Sequence, residues 1–177
     1  MRATAYIATS VDGFIAREDG DLDWLHEAGA PSGEEDYGYG EFMQTVDAIV
    51  MGRHTYEKVR TFGEWPYDKP VVALASGALT VPPELGDSVE GMSGRPAEIL
   101  ARLSARGFQH IYVDGGRTIQ RFLEAGAIDR LIISRVPVLI GRGIPLFGPV
   151  PGDLRLRHIG TRQFSTGVVQ SEYVVAV

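Results

Sequence analysis

The stretch V-D-A-I-V-M-G-R-H-T-Y-E, residues 46–57, sets the fold class. Ala48 to Met51 is a short unbroken apolar run, the pattern of a strand buried on both faces, and Gly52 interrupts it. Helical spacing takes over with Tyr56, Val59 and Arg60. Thr55 and Glu57 fall in the first turn, where a hydroxyl can cap and a carboxylate suits the dipole, so a helix is expected from about His54 to residue 61. Backbone amides, the Arg53 guanidinium and the Thr55 hydroxyl would then meet at one point. That combination suits a phosphate, and a phosphorylated cofactor is the first expectation.

Downstream the pattern recurs as Val113-Asp114-Gly115-Gly116-Arg117-Thr118, between a strand from His110 and a helix ending near Gly126. If the two strands are neighbours, two helix N-termini converge at the carboxyl edge of the sheet, where open α/β sheets bind ligands. Neither junction is G-x-G-x-x-G, and the triphosphate P-loop is absent. Each glycine is equally well read as a tight strand-to-helix turn.

Around these junctions the chain alternates strands and helices. Residues 2 to 9, Pro70 to Ala75 and Leu131 to Ile133 read as strands; Glu41 to Val46 and Pro96 to Leu103 read as helices, with Gly107 a stop for the second. Leu22 to Leu25 reads as loop with a large indole, residues 31 to 40 as a mobile acidic segment, and Pro82-Pro83 as a block to helix. Leu154 to Phe164 and Val168 to Val177, joined by Ser165-Thr166-Gly167, form a terminal hairpin. Its last strand could be a sheet edge that pairs with a second copy, or an interior strand. The expected fold is α/β, a mixed, mostly parallel sheet with helices on both faces and a C-terminal antiparallel hairpin, in one domain over 1–177.

The 177 residues suffice for a real core, and 44% hydrophobic content without a long apolar run argues against a membrane span. The N-terminus enters a strand at once, which makes a cytoplasmic location the default. No cysteine is present, and the four histidines are scattered, so neither thiolate chemistry nor a metal centre is expected. A net charge of −6 speaks against nucleic acid as the partner.

Four blocks in order, S-V-D-G-F-I-A with D-G-D-L-D-W-L, V-D-A-I-V-M-G-R-H-T-Y-E, Y-V-D-G-G-R-T and R-V-P-V-L-I-G-R-G-I-P-L-F-G, span about residues 2 to 148. Together they resemble the dihydrofolate reductase-like superfamily. The branch they are most similar to is that of small single-domain proteins related to the reductase half of the riboflavin-biosynthesis deaminase-reductase. The resemblance implies a three-layer fold, an NADPH-dependent hydride transfer to a small, heterocyclic, pteridine- or pyrimidinone-like substrate, and a homodimer. It places Gly52, Arg53, His54 and Thr55 around NADPH, with Arg53 and Ser76 at the 2′-phosphate, where a guanidinium would favour NADPH over NADH. Gly115 and Gly116, often joined by a cis peptide in the family, would lie against the pyrophosphate and nicotinamide, with Arg117 and Thr118 beside them.

On the substrate side, counting from Trp24 to the family's pteridine-binding carboxylate reaches Gly29, and Glu27 is the nearest acid. That departure counts against dihydrofolate. Ser10 and Asp12 match an S-x-D-G motif that gives the riboflavin-pathway reductases a substrate-pocket aspartate, which makes Asp12 the candidate catalytic group; it could equally close a turn before Gly13. Trp24 is either a wall of the substrate pocket or a packing anchor for its loop. Two rivals stand beside the general reductase: a riboflavin-pathway reductase acting on a ribosylaminopyrimidinone phosphate, and a non-catalytic NADPH-binding sensor.

Overall fold

A computed structural model describes residues 1–28 and 35–176. Gly29, the acidic 31–34 stretch and Val177 lie outside the described residues. Among the described residues, ten strands and five α-helices run in the order β1 (Arg2–Ser10), β2 (Phe14–Ala16), α1 (Asp23–Ala28), α2 (Tyr39–Gln44), β3 (Ala48–Gly52), α3 (Arg53–Val59), β4 (Val71–Leu74), β5 (Val89–Met92), α4 (Pro96–Ala105), β6 (His110–Asp114), α5 (Gly116–Glu124), β7 (Arg130–Val136), β8 (Ile144–Pro145), β9 (Leu156–Gln163) and β10 (Val169–Val175).

Eight strands form one sheet in the order β5-β4-β3-β6-β1-β7-β10-β9. The first six are parallel, and β10 pairs antiparallel with both β7 and β9. The central strands are buried on both faces, as their unbroken apolar runs require; Ala48 to Met51 have no exposed surface. One face packs on α4 and α5 through Ile99, Leu103, Ile119 and Phe122. The other packs on α2 and α3 through Phe42 and Tyr56. This is the mixed sheet with helices on both faces that the alternating sequence implies.

The differences have physical causes. The helix expected over 54–61 starts at Arg53 and gives way to a 3-10 turn at Arg60–Phe62 before Gly63. Pro82-Pro83 leads into a 3-10 turn over Pro83–Leu85, which proline tolerates at its start. Leu22 to Leu25 is not all loop: α1 begins at Asp23. The short strand β5 carries little apolar signal, and Gly91 at its centre has Leu79 packed over it. β10 is an interior strand, so the sheet edges belong to β9 on the hairpin side and to β5 on the other.

Candidate functional site

β3 and β6 are adjacent and parallel, with Met51 opposite Asp114, so the two strand–glycine–helix junctions stand side by side at the carboxyl edge. Their contact is reciprocal. A Cβ on Gly52 would meet Thr118 Oγ1 at 2.8 Å, and a Cβ on Gly115 would overlap Thr55 Oγ1. Each junction's threonine thus occupies the space left by the other's glycine, and Gly115 also holds φ 89°, a conformation that suits glycine alone. Gly116 has Ile15 of β2 packed on it, where a Cβ would sit 2.6 Å from that side chain.

These elements border a cleft of about 1510 Å³. Gly52, Arg53, His54, Thr55, Ser76, Gly115, Gly116, Arg117 and Thr118 all line it, although they come from three separate parts of the chain. Arg53 Nη2 donates to the carbonyls of Gly77 (3.2 Å) and Ala78 (2.7 Å), which fixes the guanidinium beside Ser76. Its other N–H groups stay available. The first backbone bond of α5 runs from the Ile119 amide to the Gly115 carbonyl at 2.8 Å, so the amides of Gly116, Arg117 and Thr118 precede any helical acceptor. His54 is exposed and stands 3.7 Å from Glu57.

Ser10, Asp12 and Trp24 do not join this cleft. The Ser10 hydroxyl accepts the Phe14 amide at 3.0 Å, and Asp12 accepts the amides of Ile140 (3.3 Å) and Gly141 (2.8 Å), tying the β1–β2 loop to the segment before β8. The Ser10 hydroxyl first, then those amides, hold Asp12 below the usual carboxylate range. A carboxylate so engaged is a poor proton donor, and it ties the loop to the segment before β8 without lining the cleft. Trp24 is 2% exposed and packs with Val136 and Val168. It is a packing anchor. Glu27 is exposed at the end of α1. No described peptide bond is cis, so Gly115–Gly116 departs from the family habit.

Four acids line the cleft, Glu18, Asp19, Glu57 and Asp114, and Asp114 is the one in the second junction. Its carboxyl is enclosed by protein while the residue keeps partial exposure on the cleft side, and that desolvation pushes its pKa up to about 6, against the opposing pull of the Gly115 amide and the Tyr112 hydroxyl. Tyr67 borders the cleft and Tyr39 stands over Tyr112; burial first, then the Asp114 charge, raises the pKa of both phenols. Asp114 was legible in the sequence only as a strand end. The signal pointing to it is that it closes an apolar strand immediately before a glycine pair, at the sheet edge where ligands bind.

A parallel sheet with two glycine junctions at its carboxyl edge, closed by an antiparallel hairpin, defines a dihydrofolate reductase-like domain. Enterococcus faecalis dihydrofolate reductase complexed with NADP(H) shares this fold, with a TM-score of 0.69, 16% identity, and 99% of this chain and 97% of that chain covered. Residues 3–170 match the RibD C-terminal domain, and the chain belongs to that family. YwjB of Bacillus subtilis (strain 168), itself uncharacterised, is 38% identical over 99% of this chain and 98% of its own. A crystal structure of a Shewanella sp. PV-4 protein provisionally named for riboflavin biosynthesis superposes with a TM-score of 0.94 at 40% identity, covering both chains completely.

Proposed function

We propose that the protein is an NADPH-dependent reductase that transfers a hydride to a small heterocyclic substrate. The observation that carries this is the convergence of nine residues from three separate parts of the chain, Arg53 and the Gly115-Gly116 pair among them, on one cleft that also holds a carboxyl of raised pKa. The residues fit the cofactor. Glycine at 115 and 116 lets Thr55 and Ile15 pack against the second junction, the free amides of α5 suit a pyrophosphate, and Arg53 beside Ser76 suits a 2′-phosphate. When bound, NADPH supplies the hydride.

The chain's own part in the chemistry is proton handling. Reduction of a C=N bond adds a hydride to carbon and a proton to nitrogen. Asp114, protonated below about pH 6, holds a proton at the cleft wall, where Asp12 cannot. Membership of the RibD C-terminal domain family favours a second, narrower reading, in which the substrate is a ribosylaminopyrimidinone phosphate. The homodimer belongs to the same proposal: β9 leaves Leu156 and Ile159 40% and 44% exposed at the sheet edge.

The test is NADPH oxidation followed with dihydrofolate, pteridines and ribosylaminopyrimidinone phosphates. Turnover of one class, reduced about 10²- to 10⁴-fold in Asp114→Asn while NADPH affinity is retained, is the expected result. NADPH binding without turnover of any substrate would instead favour the sensor.

A further inference from the structure

The positive charge of the cleft is gathered at one end. Four lysine and arginine side chains line it among the described residues, Arg53, Lys58, Arg117 and Arg121. Arg53 is held at the Gly77 and Ala78 carbonyls that follow β4, and Arg121 Nη2 donates to the Gly94 carbonyl that follows β5 at 3.3 Å. Arg117 stands one helical turn before Arg121 on α5 and shares its face. The adjoining face of α5 looks the other way: Gln120 Nε2 donates to the Pro145 carbonyl of β8 at 2.8 Å, and Gly116 lies under Ile15 of β2. The three arginines therefore belong to the β4–β5 side, the side proposed for the cofactor phosphates.

At the other end, the loop from β2 to α1 stands against α3. The loop is closed on itself, with the Arg17 amide donating to the Asp21 carbonyl and the Gly20 amide to the Arg17 carbonyl, each at 2.9 Å. The Arg17 guanidinium is engaged by Asp23 through two bonds of 2.7 and 3.0 Å. Glu18 and Asp19, at the loop tip, line the cleft, and so does Asp114 at the end of β6. Lys58 is the one lysine or arginine of the lining on this side, and its Nζ lies 3.6 Å from Asp21 Oδ1. His54 likewise has Glu57 3.7 Å away. Residues 29–34, outside the described ones, contain no lysine or arginine.

We propose that the loop end of the cleft selects its substrate by charge: it takes a neutral or cationic heterocycle and disfavours one that carries a phosphate, with Glu18, Asp19 and Asp21 setting the choice. This rests on the reductase reading and, within it, opposes a phosphorylated substrate. A phosphate ester carries nearly two negative charges. At the loop end it meets Glu18 and Asp19, and the lysine that could receive it is already matched by Asp21. Amino groups on a heterocycle can instead donate to those carboxylates. Both tip acids are exposed, so water and salt weaken the repulsion and the preference is a matter of affinity, about tenfold, rather than absolute exclusion.

The experiment uses the whole protein saturated with NADP⁺, so that the cofactor end is filled and no turnover occurs. A ribosylaminopyrimidinone and its 5′-phosphate are titrated separately by calorimetry, at low salt and again at high salt. The unphosphorylated riboside should bind about tenfold or more tightly at low salt, and the gap should narrow as salt rises. Asp21→Asn releases Lys58 and should tighten the phosphate about threefold or more while leaving the riboside within about twofold. A phosphate that binds as tightly as the riboside, or tighter, overturns the inference, as does failure of both to bind the loaded protein. An unchanged phosphate affinity in Asp21→Asn overturns the role of Asp21. Failure of NADP⁺ itself to bind defeats the reductase reading and this inference with it, whereas NADP⁺ binding with the phosphate preferred defeats this inference alone.

Discussion

Single residues carry most of the chemistry. Arg53 is tied to the Gly77 and Ala78 carbonyls through one nitrogen, which leaves a preoriented guanidinium facing the cleft. Arg53→Ala should therefore weaken NADPH binding about tenfold or more and leave NADH within about twofold, as measured by fluorescence titration. Asp114 makes a pH prediction of definite sign. As a proton donor it acts when protonated, so turnover should fall as pH rises through about 6. The stability linkage runs the same way. A folded pKa raised above the ordinary carboxyl value of 3.8 contributes stability that is complete below that value and lost as pH rises through about 6. Asp114→Asn should thus raise the stability at pH 8 by about 1–3 kcal/mol in denaturant titrations while impairing turnover.

At the scale of elements, the two junctions support each other through Gly52 against Thr118 and Gly115 against Thr55. Gly52 has an ordinary extended backbone, so any cost of Gly52→Ala comes from contact with Thr118 rather than from strain at φ −76°. The substitution should cost about 1–3 kcal/mol, and Thr118→Ala in the same chain should recover part of it, a coupling readable in a double-mutant cycle. The opposite end of the sheet is pinned by His110, which is 3% exposed. Its Nδ1 lies 2.8 Å from the Thr45 carbonyl and its Nε2 lies 2.8 Å from Thr4 Oγ1, contacts that suit a neutral ring protonated on Nδ1. Burial lowers its pKa, so its contribution is present above the unfolded value near 6.5 and is lost as pH falls through that value toward the folded one. Thermal melts of His110→Gln should fall less steeply than those of the wild type between pH 7 and pH 5.

The whole molecule was legible in the sequence where strands are long and apolar: Ala48–Met51, His110–Val113 and Leu131–Ile133 are all strands of the sheet, and the glycines after the first two mark its carboxyl edge. Neighbours in space were not legible. No local pattern says that Thr118 fills the space beside Gly52, that Asp12 reaches Gly141 rather than the cleft, or that Trp24 is sealed under Val136 and Val168. The raised pKa of Asp114 was not legible either, because it comes from burial by residues distant in sequence. The free β9 edge leads to an expectation for assembly: light scattering should give a dimer, and Ile159→Lys should shift it toward monomer if that edge is the interface. The central claim is tested most directly by titrating NADPH and NADH separately into the wild-type protein and following its tryptophan fluorescence, with ligand absorption corrected. Saturable NADPH binding, about tenfold or more tighter than NADH, is the predicted result; no saturable binding of NADPH would contradict the account.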